Sequence, residues 1–463
     1  MMSILTIAKR FSLGAFKTFR LALPKLGVGR TFALLTIDFN RIAIVELNIA
    51  AAAVTAMLAM HYFLSPFQVI SGRLADKHPI FGLRRTPFLF ISCITASLVF
   101  LALPSTVHAM ATGSLLAYAA GFGLLAVFGV SIAFMGDAHH SLIAEVTAPE
   151  SRGGVISVVW TFTILSTIIA AVVMNIVRPE YTPEAMQTLY NLTPFIVIGS
   201  MFLGMIGMEP RLTGEALAAS IEKSRAAAPE GNPISVAITL LRKNKMARSF
   251  FAFVFVAILS IFLQDNILEV FGAEVFGMDV TETTSFQPTW GGGVLIGMIL
   301  MGIFSVVFPI SKRTITLIGC LGTAVGMAAL AVAALMQTES MVTPALFGMG
   351  FFTGFFNVGA LSMMMDMTIE GATGLYMGLW GMAQAFGNGT ASFGGGLLHT
   401  MLIESGLLTP AAAYFGIFGL EALGMVTAAA IMWRLSVKGF RQQHEATLNR
   451  ADALRAMEAG RAA

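Results

Sequence analysis

Charge is what this sequence has least of. Only 11% of its 463 residues are Asp, Glu, Lys or Arg, while 56% are hydrophobic. A soluble domain carries roughly 25% charged residues, because water must wet its surface. That deficit excludes a globular surface and leaves most of the exterior to face lipid. Cysteine is nearly absent: Cys93 and Cys320 lie far apart inside apolar runs and read as small buried hydrophobes, which excludes a disulfide framework and a cysteine metal site. Also missing are an aspartate-rich diphosphate-binding motif, a phosphate-binding glycine–lysine loop and any nucleophile–base pair. The chain therefore reads as neither an enzyme nor a nucleic-acid binder, with no directly bound metal.

What is present is a series of long, non-alternating apolar runs. A helix needs about 20 such residues to cross a hydrocarbon core of roughly 30 Å. Backbone groups in lipid must be satisfied internally, so runs of this kind are read as helices. They number twelve, six on each side of a charged, alanine- and proline-containing stretch. The expected organisation is an amphipathic N-terminal segment (1–27), a six-helix bundle (28–209), a central loop (210–246), a second six-helix bundle (247–435) and a tail (436–463).

The basic residues orient this plan. Of 28 Lys and Arg, all but Arg41 and Arg178 fall on one side of the membrane, while Glu180, Glu184, Glu274, Asp279, Glu282, Glu339 and Glu404 mark the other. The positive-inside rule makes the basic side cytoplasmic and puts both termini there. The first 37 residues hold six basic residues and no acid. They are expected to form a surface helix on the cytoplasmic leaflet, with Phe11, Phe16 and Phe19 inserted. An organellar transit peptide, which is also basic and poor in acid, is the rival.

Between the second and third helices runs Gly72-Arg-Leu-Ala-Asp76-Lys77, then Gly82-Leu-Arg84-Arg85-Thr-Pro87. The spacing of Gly72, Asp76 and the following arginines resembles the loop signature of the major facilitator superfamily. Gly72 would permit close helix approach, and Asp76 would pair with a basic group or a helix terminus. Arg84 and Arg85 would hold the loop to the cytoplasmic face as part of a gate; plain positive-inside decoration explains the arginines but not the spacing. The corresponding stretch after the eighth helix, Pro309-Ile-Ser-Lys312-Arg313, has lost most of the signature. The resemblance implies an all-α membrane protein with the major facilitator fold, twelve transmembrane helices in two six-helix halves.

Charges inside membrane helices are costly and mark functional candidates. Asp38, Arg41 and Glu46 lie in the first helix, Asp265 and Glu269 in the seventh. Helical spacing puts Asp38 with Arg41, and Asp265 with Glu269, on shared faces. A two-fold repeat would bring Arg41 towards Asp265 at the midplane, within a network including Asp38. Such a pair is either a static brace or a moving gate. Gly322/Gly326, Gly350/Gly354 and Gly374/Gly378 are spaced for close helix packing.

Four segments resemble one branch of the superfamily, the PucC-like or bacteriochlorophyll delivery family. They are Phe39-Asn40-Arg41 to Glu46-Leu47; Ser65-Pro66-Phe67-Gln68-Val69 leading through Asp76 to Pro87; Gln264-Asp265 to Gly277 and on to Trp290-Gly291; and Met365-Asp366 with Gly374 to Ala385. Val270 stands where the family usually has proline, and His399 where an arginine often follows. The resemblance implies a light-harvesting assembly factor that carries (bacterio)chlorophyll as cargo in an inner, intracytoplasmic or thylakoid membrane. Its partners would be antenna polypeptides, membrane lipids and, as a further candidate, chlorophyll synthase. An imidazole can fill the open axial position of the pigment magnesium, so His61, His139 and His140 are the candidate ligands, with a packing role as the alternative for each. The competing functions are a proton-coupled transporter of small molecules and a scaffold that only binds antenna proteins.

Overall fold

A computed structural model describes residues 14–443 apart from 41, 50, 178–181, 228–230, 266, 279, 284 and 309. Arg41, Phe11 and most of the basic C-terminal tail therefore lie outside the described residues, as does the side chain of Glu269. Every regular element among the described residues is helical. The chain divides into two compact units, Met1–Ile221 and Glu222–Ala463.

Each unit contains six spans. In the first, span 1 joins the helix Pro24–Ala33 to π-helical turns at Leu34–Phe39 and Ile42–Glu46, and span 2 comprises Ala51–Phe63 and Pro66–Lys77. Spans 3 to 6 are Thr86–Ala111, Leu115–Val146, Arg152–Val177 and Pro183–Met205. In the second unit span 7 comprises Lys245–Phe262 and Leu268–Phe276, followed by span 8, Phe286–Val307, and span 9, Lys312–Met336. Spans 10 to 12 are Val342–Asp366, Thr373–His399 and Pro410–Trp433. Nine of these helices, among the described residues, are long and apolar enough to cross a membrane. Spans 1 and 2 fall short because they are broken, and span 11 because glycine replaces apolar side chains along it. The expected central loop is not bare coil, since Gly214–Ala227 and Pro233–Lys243 are helices.

Local chemistry sets where spans begin. Ser114, Thr182, Asn244, Ser311 and Thr409 each accept a first-turn backbone N–H, and proline follows at 183 and 410. Pro66 lacks the N–H that would continue the helix, so span 2 turns at residues 64–65. Basic residues cap the opposite ends, where the last carbonyls of a helix have no partner in it. Lys17 donates to Val146 O at 2.6 Å, Arg20 to Leu203 O and Ile206 O, and Arg313 to Trp433 O. The same charges that orient the sequence thus close helix termini.

Residues 14–22 are helical, with Phe16 and Phe19 exposed and the end of the segment turning into the bundle. Leu21 and Ala22 are fully buried, and Phe19 packs edge-on against Phe162 of span 5 at 5.6 Å. The segment leads directly into the bundle, because Arg20 and Lys17 are already spent on the ends of spans 6 and 4.

The core of the first unit centres on Phe100, Phe128 and Tyr190, with ring centroids 5.6 and 5.9 Å from Phe100. Tyr190 also donates to Leu34 O where span 1 is π-wound. In the second unit Trp380 packs edge-on against Phe250 at 4.8 Å. Spans 8 and 10 approach backbone to backbone: a Cβ added at Gly297 would strike Phe351 O, and one at Gly350 would strike Trp290 O. This is the packing expected of small residues in lipid, where van der Waals contact between helices takes over from hydrophobic collapse. The chain is a multi-pass membrane protein.

Candidate functional site

The loop between spans 2 and 3 turns sharply because Phe81 and Gly82 both adopt positive φ, 54° and 77°. That turn brings Arg84 and Arg85 back over Asp76, in the last turn of span 2. Asp76 Oδ1 accepts from Arg84 at 3.0 Å and also from Arg85. Arg85 extends its other donors to Glu145 of span 4, with Nη2 at 2.6 Å and Nε at 3.2 Å from Oε1. The side chains of Arg85 and Asp76 are fully buried. Burial alone would lower the pKa of Arg85, but Glu145 and Asp76 outweigh it and hold the guanidinium charged more firmly than usual. Asp137 lies deeper on span 4, buried, within the electrostatic reach of Arg85.

A second clasp closes over the first. Glu209, just past span 6, accepts from the backbone N–H groups of Arg84 (2.6 Å), Arg85 (2.9 Å) and Thr86 (2.7 Å). These are the partnerless donors at the start of span 3, where a carboxylate is also favoured by the helix dipole. Arg211 Nε donates to Phe81 O, and Leu212 N to Gly82 O at 2.9 Å. The exit of span 6 is thereby tied to the loop between spans 2 and 3. Chemically the cluster holds no nucleophile; it can fasten four span ends together and release them.

The second unit keeps a reduced version. Lys312, at the start of span 9, meets Asp366, at the end of span 10, at 2.7 Å. Those positions correspond to Arg85 before span 3 and Glu145 near the end of span 4. The degenerate loop has lost its sequence signature while retaining the ion pair.

The other expected residues are dispersed. Asp38 is buried in the π-wound part of span 1, and Glu46 is exposed at its end. The face that Asp38 was expected to share with Arg41 falls on Arg41, outside the described residues. Span 7 is interrupted at residues 263–267, so Asp265 lies in the break and Glu269 in the helix beyond it, not on one α-helical face. The polar run Gln264-Asp265-Asn266 competes for backbone hydrogen bonds and favours such an interruption. Asp265 is exposed and accepts from Gln287 at 3.3 Å. The expected Arg41–Asp265 contact falls on Arg41, outside the described residues. Gly72 is buried in span 2.

The three histidines differ. His139 Nε2 lies 2.8 Å from Leu21 O, and since a carbonyl only accepts, that nitrogen carries the proton and ties span 4 to span 1. His61 Nδ1 likewise donates to Leu58 O at 2.6 Å, which leaves Nε2 with its lone pair. The His61 ring is partly buried, beside Phe32 and Tyr62. His140 Nε2 is buried without a hydrogen-bond partner.

Sequence reasoning missed Glu145, Glu209, Asp137 and Glu421. Asp137 and Glu421 carried a usable signal, being lone acids within apolar runs. Glu209 carried none, because it faces residues 123 to 125 positions away.

A family model described as PUCC protein matches residues 38–440. The chain is 30% identical over 433 residues to the "Bacteriochlorophyll synthase 44.5 kDa chain" of Rhodobacter capsulatus, covering 90% of this chain and 95% of that one. It is 27% identical over 425 residues to "Protein PucC" of Cereibacter sphaeroides, covering 88% and 89%. Among solved structures, the proton:xylose symporter XylE matches at a TM-score of 0.64 and 14% identity, covering 93% of this chain and 98% of that one. A bacterial homologue of the iron transporter ferroportin, in its outward-facing state, matches at 0.67 and 14%, covering 90% and 98%. The structural likeness carries the fold and the sequence matches the lineage: the chain belongs to the PucC family, built on the major facilitator fold.

Proposed function

We propose that this protein binds (bacterio)chlorophyll within the membrane and delivers it to antenna polypeptides during assembly of light-harvesting complexes. The observation that carries this reading is the family match across residues 38–440, together with 30% identity to a relative whose name refers to bacteriochlorophyll. Chlorophyll is a bulky amphiphile that should not enter water, so a membrane-embedded carrier suits it. That relative is named a synthase chain; we read this chain as a carrier, because it shares its fold with transporters. In the same reading the membrane is a photosynthetic one, both termini are cytoplasmic and the Asp76–Arg85–Glu145 cluster is a cytoplasmic latch. Antenna polypeptides are the partners, with chlorophyll synthase as a further one.

Of the three histidines, His61 fits axial ligation of the pigment magnesium best. Its Nε2 keeps a lone pair, and Phe32 and Tyr62 offer apolar faces to a macrocycle. Phe32 packs on Phe128 behind it, and Gly129 lets span 4 approach the His61 backbone closely. These residues would orient the ring; the pigment brings the magnesium.

The test is purification of the full chain from pigment-producing membranes, followed by absorption spectroscopy and mixing with pigment-free antenna polypeptide. Pigment that co-purifies and then moves to the polypeptide supports delivery. A colourless protein that accumulates a solute in vesicles would establish the transporter reading instead.

A further inference from the structure

Glu421 sits at the centre of span 12 and is 1% exposed. Both its carboxylate oxygens are buried without a side-chain donor, and so is Oε1 of Gln264 in the break of span 7. Among the described residues, the backbone N–H of Gln264 is the polar group that bears on the carboxyl. Gln264 Nε2 is turned the other way, 3.3 Å from the sulfur of Met349. The result is a buried carboxyl with no side-chain donor.

Among the described residues, the elements packed against span 12 supply no cation to balance a charge there. On span 9, Lys312 is paired with Asp366, and Arg313 is bonded to Trp433 O. Trp433 is twelve residues from Glu421, about 18 Å along a helix rising 1.5 Å per residue. Cys320, also on span 9, is a buried thiol. On span 7, Lys245 and Arg248 stand at its start, far from the break, and Asp265 is exposed and bonded to Gln287. Glu274 accepts from Tyr414 at 3.0 Å and contacts His399 at 3.1 Å, seven residues up span 12 from Glu421. That is about 10 Å towards the opposite end of the helix from Trp433.

An ionised carboxylate buried without a partner is costly, and removing its charge relieves the cost. One proton does more, because it also turns one oxygen of Glu421 from an acceptor into a donor. The place is also mechanically sensitive. Gln264 O accepts from both Ile267 and Leu268 N–H, closing the turn that restarts span 7, while its own N–H faces Glu421. Glycines let the backbones crowd here: a Cβ at Gly424 would strike Ser260, and one at Gly395 would strike Leu263 O.

We propose that Glu421 is a proton-binding site, and that gain or loss of this proton reshapes the break in span 7. The second half of the protein would then carry a proton-driven conformational step, whatever the cargo. Glu421→Gln reproduces the shape of the protonated acid and cannot ionise. In full-length protein in nanodiscs, infrared spectra at neutral pH are expected to contain a protonated-carboxyl carbonyl band that Glu421→Gln loses. Amide protection at residues 263–268, corrected for the intrinsic pH dependence of exchange, is expected to change between mildly acidic and alkaline buffer in the wild type and to stay constant in the variant, which keeps the wild-type Tm. A wild type without the band, or a band that survives in the variant, overturns the proposal. So does a variant that fails to fold, because the amide mimics the neutral carboxyl. A wild-type Tm that rises with sodium or potassium but ignores pH would mark a metal-cation site instead, and would also overturn it.

Discussion

Lys312 holds Asp366 at 2.7 Å across the start of span 9 and the end of span 10, the places that Arg85 and Glu145 occupy in the first half. The two pairs differ in how far they are withdrawn from solvent. The side chains of Lys312 and Asp366 are 19% and 16% exposed; in the first half Arg85 is at 0% and Glu145 at 22%, and Arg85 also holds the fully buried Asp76. The halves have kept one ion-pair position, and the first has sunk its basic residue fully and added a buried acid, Asp76.

That difference predicts unequal costs. Arg85→Leu leaves the buried Asp76 to Arg84 and takes the nearer cation from Glu145; deleting one partner of a buried pair costs about 3–5 kcal/mol. Lys312→Leu leaves Asp366 with access to water, so its cost should be near that of a surface pair, about 1 kcal/mol. Thermal unfolding of the two variants in the same lipid nanodisc separates them. Equal losses of Tm would show that burial does not set the strength of these pairs.

Glu209 makes a more local prediction. Its two oxygens serve three backbone donors, and an amide keeps only one accepting oxygen while turning an NH2 towards N–H groups. Glu209→Gln should therefore destabilise the start of span 3 by about 1–3 kcal/mol, the range for leaving a buried donor without its acceptor. Hydrogen exchange at the amides of residues 84–86 should rise in this variant and stay low in Arg211→Ala. Unchanged exchange in Glu209→Gln would mean that the clasp is not closed in the membrane.

How much of this was legible in the sequence depends on separation along the chain. Hydropathy marked the spans most directly where the apolar run is contiguous, as in the nine helices long and apolar enough to cross among the described residues. Asp76 and Arg85 were legible as a pair because nine residues and a single turn separate them. Glu209 meets Arg85 across 124 residues, and no local pattern announces such a contact. The interruption of span 7 was hidden for another reason. The i, i+4 spacing of Asp265 and Glu269 suits a continuous helix, and only the competing hydrogen bonds of Gln264 and its neighbours break it. The π winding of span 1 has no counterpart in residue types at all.

Gly297 and Gly350 test the packing of spans 8 and 10. Each added Cβ would meet a backbone carbonyl oxygen, Phe351 O and Trp290 O, which cannot rotate away as a side chain can. Overpacking of this kind costs about 1–3 kcal/mol. Gly297→Ala and Gly350→Ala should each lower Tm, whereas Gly348→Ala, which faces open space on the same helix, should not. A neutral outcome at both Gly297 and Gly350 would mean that the two spans do not lie as close as described.

The pigment reading leads to a ranked prediction for the histidines. His61→Phe removes the one ring whose outward nitrogen keeps a lone pair beside two aromatic faces, while leaving the bulk that packs near Gly129. It should lower co-purified pigment severalfold and leave Tm nearly unchanged. His139→Phe should do the reverse. Loss of the bond to Leu21 O leaves a buried carbonyl without its donor, at a cost of about 1–3 kcal/mol, while pigment per folded protein stays constant. His140→Phe distinguishes a bare packing nitrogen from a second ligand, because only a ligand would change the absorption maximum of the bound pigment. If His61→Phe retained full pigment and His139→Phe lost it, ligation would have to be reassigned to the end of span 4, where span 1 now covers the ring.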